Sequence, residues 1–221
     1  MKLSFSDFRF EQKYNVNNFE SKNLINYIKS NSKLFKIYPS RVVSSIYYDT
    51  HDLKFVSENL SGTSFRKKLR LRWYNNDFKN AKAEIKIKKN KMNAKVKKEI
   101  VGLSSNNIVK NIRDLNKNES FKEMVFNYLS DEILYPKIKV SYSRDYYYYK
   151  GLIITFDKDL SFTDINDQKK IKKTDNCVFE VKFSSDKLDL YNQIVSDFPF
   201  RISRNSKYIT GMALLGYCKY L

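Results

Sequence analysis

Four basic residues occupy alternate positions in the run from Phe65 to Trp73: Arg66, Lys68, Arg70 and Arg72. Residues two apart in an extended strand share a face. These cations therefore point one way, and Phe65, Leu69, Leu71 and Trp73 point the other, with only Lys67 out of pattern. Like charges at same-face spacing, roughly 7 Å, repel one another. A purely solvated face relieves this by interleaving acids, so an anion from outside the chain is expected here. Arginine suits phosphate, because its planar fork grips two oxygens at once. The alternation recurs elsewhere. Lys82, Glu84, Lys86 and Lys88 oppose Ala83, Ile85 and Ile87; Glu180 and Lys182 oppose Phe179, Val181 and Phe183; Asp7, Arg9, Glu11 and Lys13 oppose Phe8, Phe10 and Tyr14.

Two carboxylates sit inside this basic setting, as Glu84-Ile-Lys86 and Glu180-Val-Lys182. They read either as ion-pair partners of the lysines or as hard oxygen ligands for Mg²⁺ or Mn²⁺, which bind through few carboxylates plus phosphate oxygens. No nucleophilic side chain stands out. His51, the one histidine, reads as a loop residue, and Trp73 and the Tyr146–Tyr149 run as core or surface groups.

The elements that position these residues are mainly strands. Stretches rich in β-branched and aromatic residues run roughly over 6–15, 42–49, 64–74, 81–89, 95–101, 137–148, 152–161 and 177–183. Turn chemistry separates several of them, at Ser61-Gly62-Thr63, Asn75-Asn76-Asp77 and Lys150-Gly151. Helical spacing places Leu24, Ile25 and Ile28 on one face, then Phe121, Met124, Val125 and Tyr128, then Ile209, Met212, Ala213 and Leu215. The whole chain, 1–221, reads as one domain. Eight strands in consecutive hairpins predict an α+β fold that is mainly β: an eight-stranded antiparallel barrel with helices packed on the outside. With the charged faces inward, the lumen holds water and anions rather than a dry core.

The balance of 42 Lys+Arg against 24 Asp+Glu, a net charge of +18, calls for a polyanionic partner. Nucleic acid, an anionic membrane surface and polyphosphate all qualify on charge alone. Cys177 and Cys218 stand far apart without companion ligands, which fits a reducing compartment and no zinc site. No apolar run approaches a membrane span, and Met1–Phe10 lacks the apolar core of a secretory leader. A cytoplasmic protein is the expectation.

Eight motifs follow one another along the chain: Phe8-Arg-Phe-Glu-Gln-Lys-Tyr14, Ser45-Ile-Tyr-Tyr-Asp-Thr50, Leu69-Arg-Leu-Arg-Trp-Tyr74, Ala83-Glu-Ile-Lys86, Ser141-Tyr-Ser-Arg-Asp145, Ile153-Ile-Thr-Phe-Asp157, Phe179-Glu-Val-Lys182 and Ser203-Arg-Asn-Ser-Lys-Tyr208. By this ordered set the chain resembles the VTC domain, the polyphosphate polymerase branch of the triphosphate tunnel metalloenzymes, related to the CYTH proteins. The resemblance implies a basic tunnel that binds ATP with Mn²⁺ or Mg²⁺ and transfers its γ-phosphate to inorganic polyphosphate. By position, Lys13, Arg70, Arg72, Lys86, Arg144 and Lys207 match the family's phosphate-contacting residues. Arg204, one helical turn before Lys207, sits where the family often has lysine. Glu180 matches the metal-coordinating glutamate, with Glu11 and Glu84 as secondary metal candidates. Arg66, Lys68, Lys98, Lys139 and Lys182 extend the expected phosphate-binding set. Two departures stand out: Ile153 replaces a usual arginine, and Arg9 replaces the first of the paired glutamates of the hydrolytic members. Hydrolysis of tripolyphosphate or a nucleoside triphosphate, and polyanion binding without catalysis, are the alternatives. No specific nucleic acid partner is implied, and a membrane partner remains open.

Overall fold

The computed structural model describes residues 9–31, 35–104, 107–130, 132–196 and 201–219. Asp7 and Phe8, and the side chain of Ile28, lie outside the described residues. The strands are β1 (Arg9–Val16), β2 (Phe35–Asp49), β3 (Phe65–Tyr74), β4 (Lys82–Lys89), β5 (Met92–Glu99), β6 (Tyr135–Tyr149), β7 (Leu152–Asp164), β8 (Ile171–Thr174) and β9 (Cys177–Phe183). The helices are α1 (Asn18–Asn31), α2 (Lys54–Leu60), α3 (Ile108–Arg113), α4 (Glu119–Leu129), α5 (Leu188–Val195) and α6 (Lys207–Leu214).

The sheet order β6-β2-β3-β4-β5-β1-β9-β7 is closed by a β6–β7 pairing, so eight antiparallel strands form a ring. Strand β8 is an addition, paired along the second half of β7 while β9 pairs along the first. Among the described residues the seam between β1 and β5 is thin, with Arg9↔Asn93 and Phe10↔Met92 in register. The loop before α6 covers the rest of that edge, where the Ser203 amide donates to the Lys13 carbonyl at 2.8 Å. The β6–β7 hairpin turns at Lys150 and Gly151, both at positive φ (46° and 95°), as a tight hairpin demands. In β7 a bulge places Asp159, with φ 57°, out of register between Ser161 and Lys158.

Register fixes which face each residue takes. Leu69, Leu71, Trp73, Ala83, Ile85 and Ile87 point outward and pack with Ile112, Phe121, Met124, Val125 and Leu129 of α3 and α4. Leu69 and Leu71 are fully buried, each stabilising the fold by about 1.5–3 kcal/mol. Lys67, out of pattern on that face, donates to the Tyr128 carbonyl at the C-terminal turn of α4, where a cation is favoured. On the other side of the ring, Tyr14, Phe179, Val181 and Phe183 pack under Leu24 of α1 and Tyr191 of α5. A capping box starts α1: the Glu20 amide donates to Asn17 Oδ1 and the Asn17 amide to Glu20 Oε2, both at 2.8 Å.

Helix α6 is the exception to the outer shell. It packs against Val43, Tyr47, Ile138, Val140 and Phe162, which register places on the same inward face as Arg70 and Arg72. The approach is close enough to require glycine. A Cβ built on Gly211 would stand 2.5 Å from a Phe162 ring carbon and 2.6 Å from Ile138 Cδ1. Gly211→Ala is therefore expected to destabilise the fold by about 1–3 kcal/mol through overpacking. A urea midpoint equal to wild type would show that α6 is not seated inside the ring.

Candidate functional site

Inside the ring the charged faces meet. Arg66, Lys68, Arg70 and Arg72 of β3 face inward beside Lys86 and Glu84 of β4, and β1 and β9 contribute Glu11, Lys13, Glu180 and Lys182. Three ion clusters result. Around Glu11 and Glu180, Lys86 stands 2.6 Å from Glu11, Lys182 stands 2.6 Å from Glu180, and Lys13 reaches both carboxylates at 3.4 and 3.5 Å. Around Glu84, Arg70 donates through Nε at 2.8 Å and Nη2 at 2.6 Å, with Arg72 at 3.6 Å and Lys95 at 3.8 Å. Around Asp157, Arg144 donates twice, at 2.5 and 2.7 Å, and Lys207 stands 2.6 Å away. Tyrosines complete the second and third clusters. Tyr47 accepts from Arg70 at 3.2 Å, Tyr142 accepts from Arg72 at 3.0 Å, and the Tyr142 ring lies 4.9 Å below the Lys207 ammonium.

The placement corrects part of the expected set. Lys98 faces outward opposite Ala83 and pairs with Glu123 of α4. Lys139 faces outward opposite Ile46 and lies 5.9 Å from the Trp73 ring. Neither is a lumen residue. Arg204 is exposed and stands in the non-helical segment ahead of α6, not one helical turn before Lys207, because α6 begins at Lys207. Its charge is felt by Arg66 and Lys88 at the rim. The sequence pattern does not single out the lumen residues Asp157 and Lys95, nor the lumen tyrosines Tyr47 and Tyr142. Lys95 lies in a strand without clean alternation, and Asp157 flanks the β7 bulge. Trp73 is core, edge-on to Phe78, and His51 is an exposed loop residue beside Tyr135.

Asp49, in the Ser45–Thr50 motif, has a structural task. Its carboxylate accepts from the amides of Thr50, Phe55 and Val56 and from the Tyr208 hydroxyl at 2.7 Å. It thereby joins the end of β2 to the start of α2 and to α6.

The four lumen carboxylates respond differently to the field. Burial opposes ionisation of Glu84, yet Arg70 and Arg72 outweigh it and hold the carboxyl well below its usual range. Burial likewise opposes Asp157, which Arg144 and Lys207 bring down to about 2. Glu180 is held well below its usual range by Lys182 and Lys13 against its burial. Glu11, resisted by burial and by Glu180, is still lowered by Lys86 and Lys13. Lysines carry the opposite strain. Burial, then Lys13 and Lys86, push Lys68 well below the usual lysine range, and its ammonium is left to donate to Ser206 Oγ at 2.6 Å. Burial pushes Lys86 down to about 8 despite Glu11. Lys95 is pushed to about 6 by burial and by Arg70; with its side chain 36% exposed, solvent moderates that effect.

These lysines make a signed prediction. Between about pH 8 and the usual 10.5, the unfolded chain holds a proton on Lys86 that the folded chain has lost. Stability of the unliganded protein therefore rises with pH across this window. The buried tyrosines Tyr14, Tyr48 and Tyr208 are raised by burial and reverse the trend above about pH 9. The urea midpoint is expected to climb from about pH 7.5 to about 9 while tripolyphosphate affinity falls, because a bound anion needs these ammoniums charged. A midpoint that drops over that interval would contradict the burial of Lys68 and Lys86.

Among the described residues no three metal-ligating side chains come together. Glu84 is taken up by Arg70 and Arg72 and stands apart from the other two candidates. Glu11 and Glu180, on neighbouring strands, are bridged by the Lys13 ammonium, and the surrounding lysines hold both ionised. These two hard anionic oxygen donors, held by lysines and not by the guanidinium groups that fix Glu84, fit a divalent cation that displaces the Lys86 and Lys182 ammoniums and takes its remaining ligands from phosphate and water.

The family model of the VTC domain matches residues 8–216. No curated protein matches the chain in sequence. An adenylyl cyclase candidate from Hippeastrum, described as having a dominant triphosphatase activity, shares the fold with a TM-score of 0.56 at 10% identity, over 93% of this chain and 95% of its own. An adenylate cyclase candidate from Bacillus halodurans gives a TM-score of 0.56 at 15% identity, over 92% and 97%. Another from Vibrio parahaemolyticus gives 0.51 at 16%, over 93% and 98%.

Proposed function

Since the chain belongs to the VTC domain family, we propose that it is an ATP–polyphosphate phosphotransferase, moving the γ-phosphate of ATP onto inorganic polyphosphate inside the ring. The observation that supports this reading is the excess of inward cations. Among the described residues, Lys13, Lys68, Arg70, Arg72, Lys86, Lys95, Arg144, Lys182 and Lys207 outnumber the buried carboxylates they meet, Glu11, Glu84, Asp157 and Glu180. A surplus of buried positive charge without a protein counter-ion is costly, and a phosphate chain offsets it.

Phosphoryl transfer needs positioning and charge neutralisation more than covalent help. Arg70, Arg72, Lys86, Arg144 and Lys207 hold the β- and γ-phosphates, with Lys13, Lys68 and Lys182 along the chain. Glu180 and Glu11 would hold Mn²⁺ or Mg²⁺, which supplies charge neutralisation on the phosphate oxygens. A terminal oxygen of the acceptor forms the new P–O bond as the bond from the γ-phosphorus to the β–γ bridging oxygen breaks and ADP leaves. No side-chain nucleophile takes part. Ile153, in place of the usual arginine, faces inward opposite Lys182 of β9, so a cation stands one strand away from the missing one.

Tripolyphosphate or nucleoside triphosphate hydrolysis is the second reading, favoured by the apolar packing of α6 into one end of the ring. Incubation with ATP and Mn²⁺, followed by a gel that resolves phosphate chains, separates the two. Chains longer than the input support transfer. Orthophosphate and ADP alone support hydrolysis. No helix among the described residues is long and apolar enough to cross a membrane.

A further inference from the structure

The two ends of the ring differ. At the end where β2 and β7 finish and β3 and β6 begin, the segment from Ser203 to Tyr208 ties itself to four strands from within. The Asn15 amide of β1 donates to Ser203 Oγ at 3.0 Å, and Lys13 of the same strand donates to the Asn205 carbonyl at 2.9 Å. Lys68 of β3 donates to Ser206 Oγ at 2.6 Å. Lys207 meets Asp157 of β7 at 2.6 Å. Tyr208 stacks on Tyr47 of β2, with ring centroids 4.9 Å apart, and donates to Asp49 at 2.7 Å.

Behind these contacts Ile209, Met212 and Leu215 are fully buried against Ile138, Val140 and Phe162, and Gly211 leaves no room even for a methyl group. A phosphate chain carries charge at every unit. Passing it through that apolar packing would strip its water with nothing to replace it. The opposite end is solvent-exposed and basic. Tyr38 is exposed there with the half-buried Arg41 beside it, Tyr146 lies edge-on to Tyr38, and Lys95 and Lys97 are exposed on β5.

Resting on the lumenal phosphate site proposed above, we propose that the tunnel is a socket with one mouth, which takes the free end of a linear phosphate chain and does not thread it. A terminal phosphate carries more charge and one more free oxygen than an internal unit. Arg144 and Lys207, which converge on Asp157 nearest the α6 end, form the part of the lumen suited to it. Donor and acceptor then use the same mouth, and the number of protein molecules on a chain is set by its ends and not by its length.

The test is titration calorimetry of the full chain at a salt concentration high enough to suppress binding to the outer lysines, whose affinity falls steeply with salt. The probes are linear tripolyphosphate, two long linear polyphosphates of different length, a capped form of the longer one with both ends as phosphoramidates, and cyclic trimetaphosphate. The expected result is saturation at two protein molecules per long chain whatever its length. Capped chain and trimetaphosphate should bind at least about tenfold more weakly, a loss of ~1.4 kcal/mol or more. In ³¹P spectra the terminal resonances should broaden and the internal ones stay sharp. A stoichiometry that grows with length, or full affinity for the capped chain, overturns the single mouth. The variant Arg70→Ala separates this from failure of the lumenal site itself. If Arg70→Ala loses binding while wild type binds along the chain, the lumen holds phosphate but is open at both ends. If Arg70→Ala binds every probe as wild type does, the lumenal site fails and the socket with it.

Discussion

Asp157→Asn is expected to cost about 3–5 kcal/mol of stability in the absence of anions, the usual consequence of removing one partner from a buried charge cluster. The Asp157 side chain is 0% exposed and is the counter-ion of both Arg144 and Lys207, themselves almost fully buried. Asparagine keeps the size and can accept one hydrogen bond, but it leaves two cations uncompensated between β6, β7 and α6. The same change should invert the response to ligand. Tripolyphosphate supplies the missing negative charge, so it should raise the urea midpoint of Asp157→Asn more than that of wild type. Loss of stability that the anion does not restore would mean that Arg144 and Lys207 are purely structural and that phosphate binds elsewhere. Wild-type stability without anion would mean that water reaches both cations and that the α6 end is open.

The sequence already showed which residues line the ring wherever one face of a strand is apolar and the other charged. On β3 and β4 the outer shell of α3 and α4 demanded Leu69, Leu71, Ile85 and Ile87, so the inward set could be read directly. The N-terminal half of β6 inverts that rule. There Ile138 and Val140 face inward because α6 fills the lumen beside them, and Lys139 is turned to the outer face. Without knowledge that a helix sits inside, Lys139 reads as a lumen cation. Lys98 fails for a related reason. Lys97 and Lys98 are adjacent, and only the register Ala83↔Lys98 decides which of them points out. The early half of β2, from Phe35 to Arg41, is interrupted by Pro39 and irregular pairing, and the four residues of β8 are too few and too charged to show a period. Asp157 is legible only after closure, when β6 and α6 bring Arg144 and Lys207 to it from distant parts of the chain.

Glu180→Gln is expected to lower metal-dependent turnover by about 10²–10³-fold, the magnitude typical of losing a preorganised electrostatic contact in the transition state. The substitution preserves shape and leaves Lys182 and Lys13 without one of their partners, while Glu11 still pairs with Lys13 and Lys86. Phosphate binding without metal should therefore hold or tighten, since one carboxylate that repels the chain has gone and two ammoniums are freed for it. This split, turnover lost and tripolyphosphate affinity kept, is what distinguishes a metal-holding carboxylate from a structural one. Glu84→Gln provides the contrast. It frees Arg70 and Arg72 from the buried cluster that holds them in place, so it should lose stability in a urea titration first, with turnover falling only as the two guanidinium groups lose their positions. Equal turnover in wild type and Glu180→Gln would move the metal to another carboxylate. If both are silent and bind tripolyphosphate alike, the ring holds phosphate without transferring it, because a lumen built of the same cations can bind a chain whether or not a cation sits beside Glu11 and Glu180.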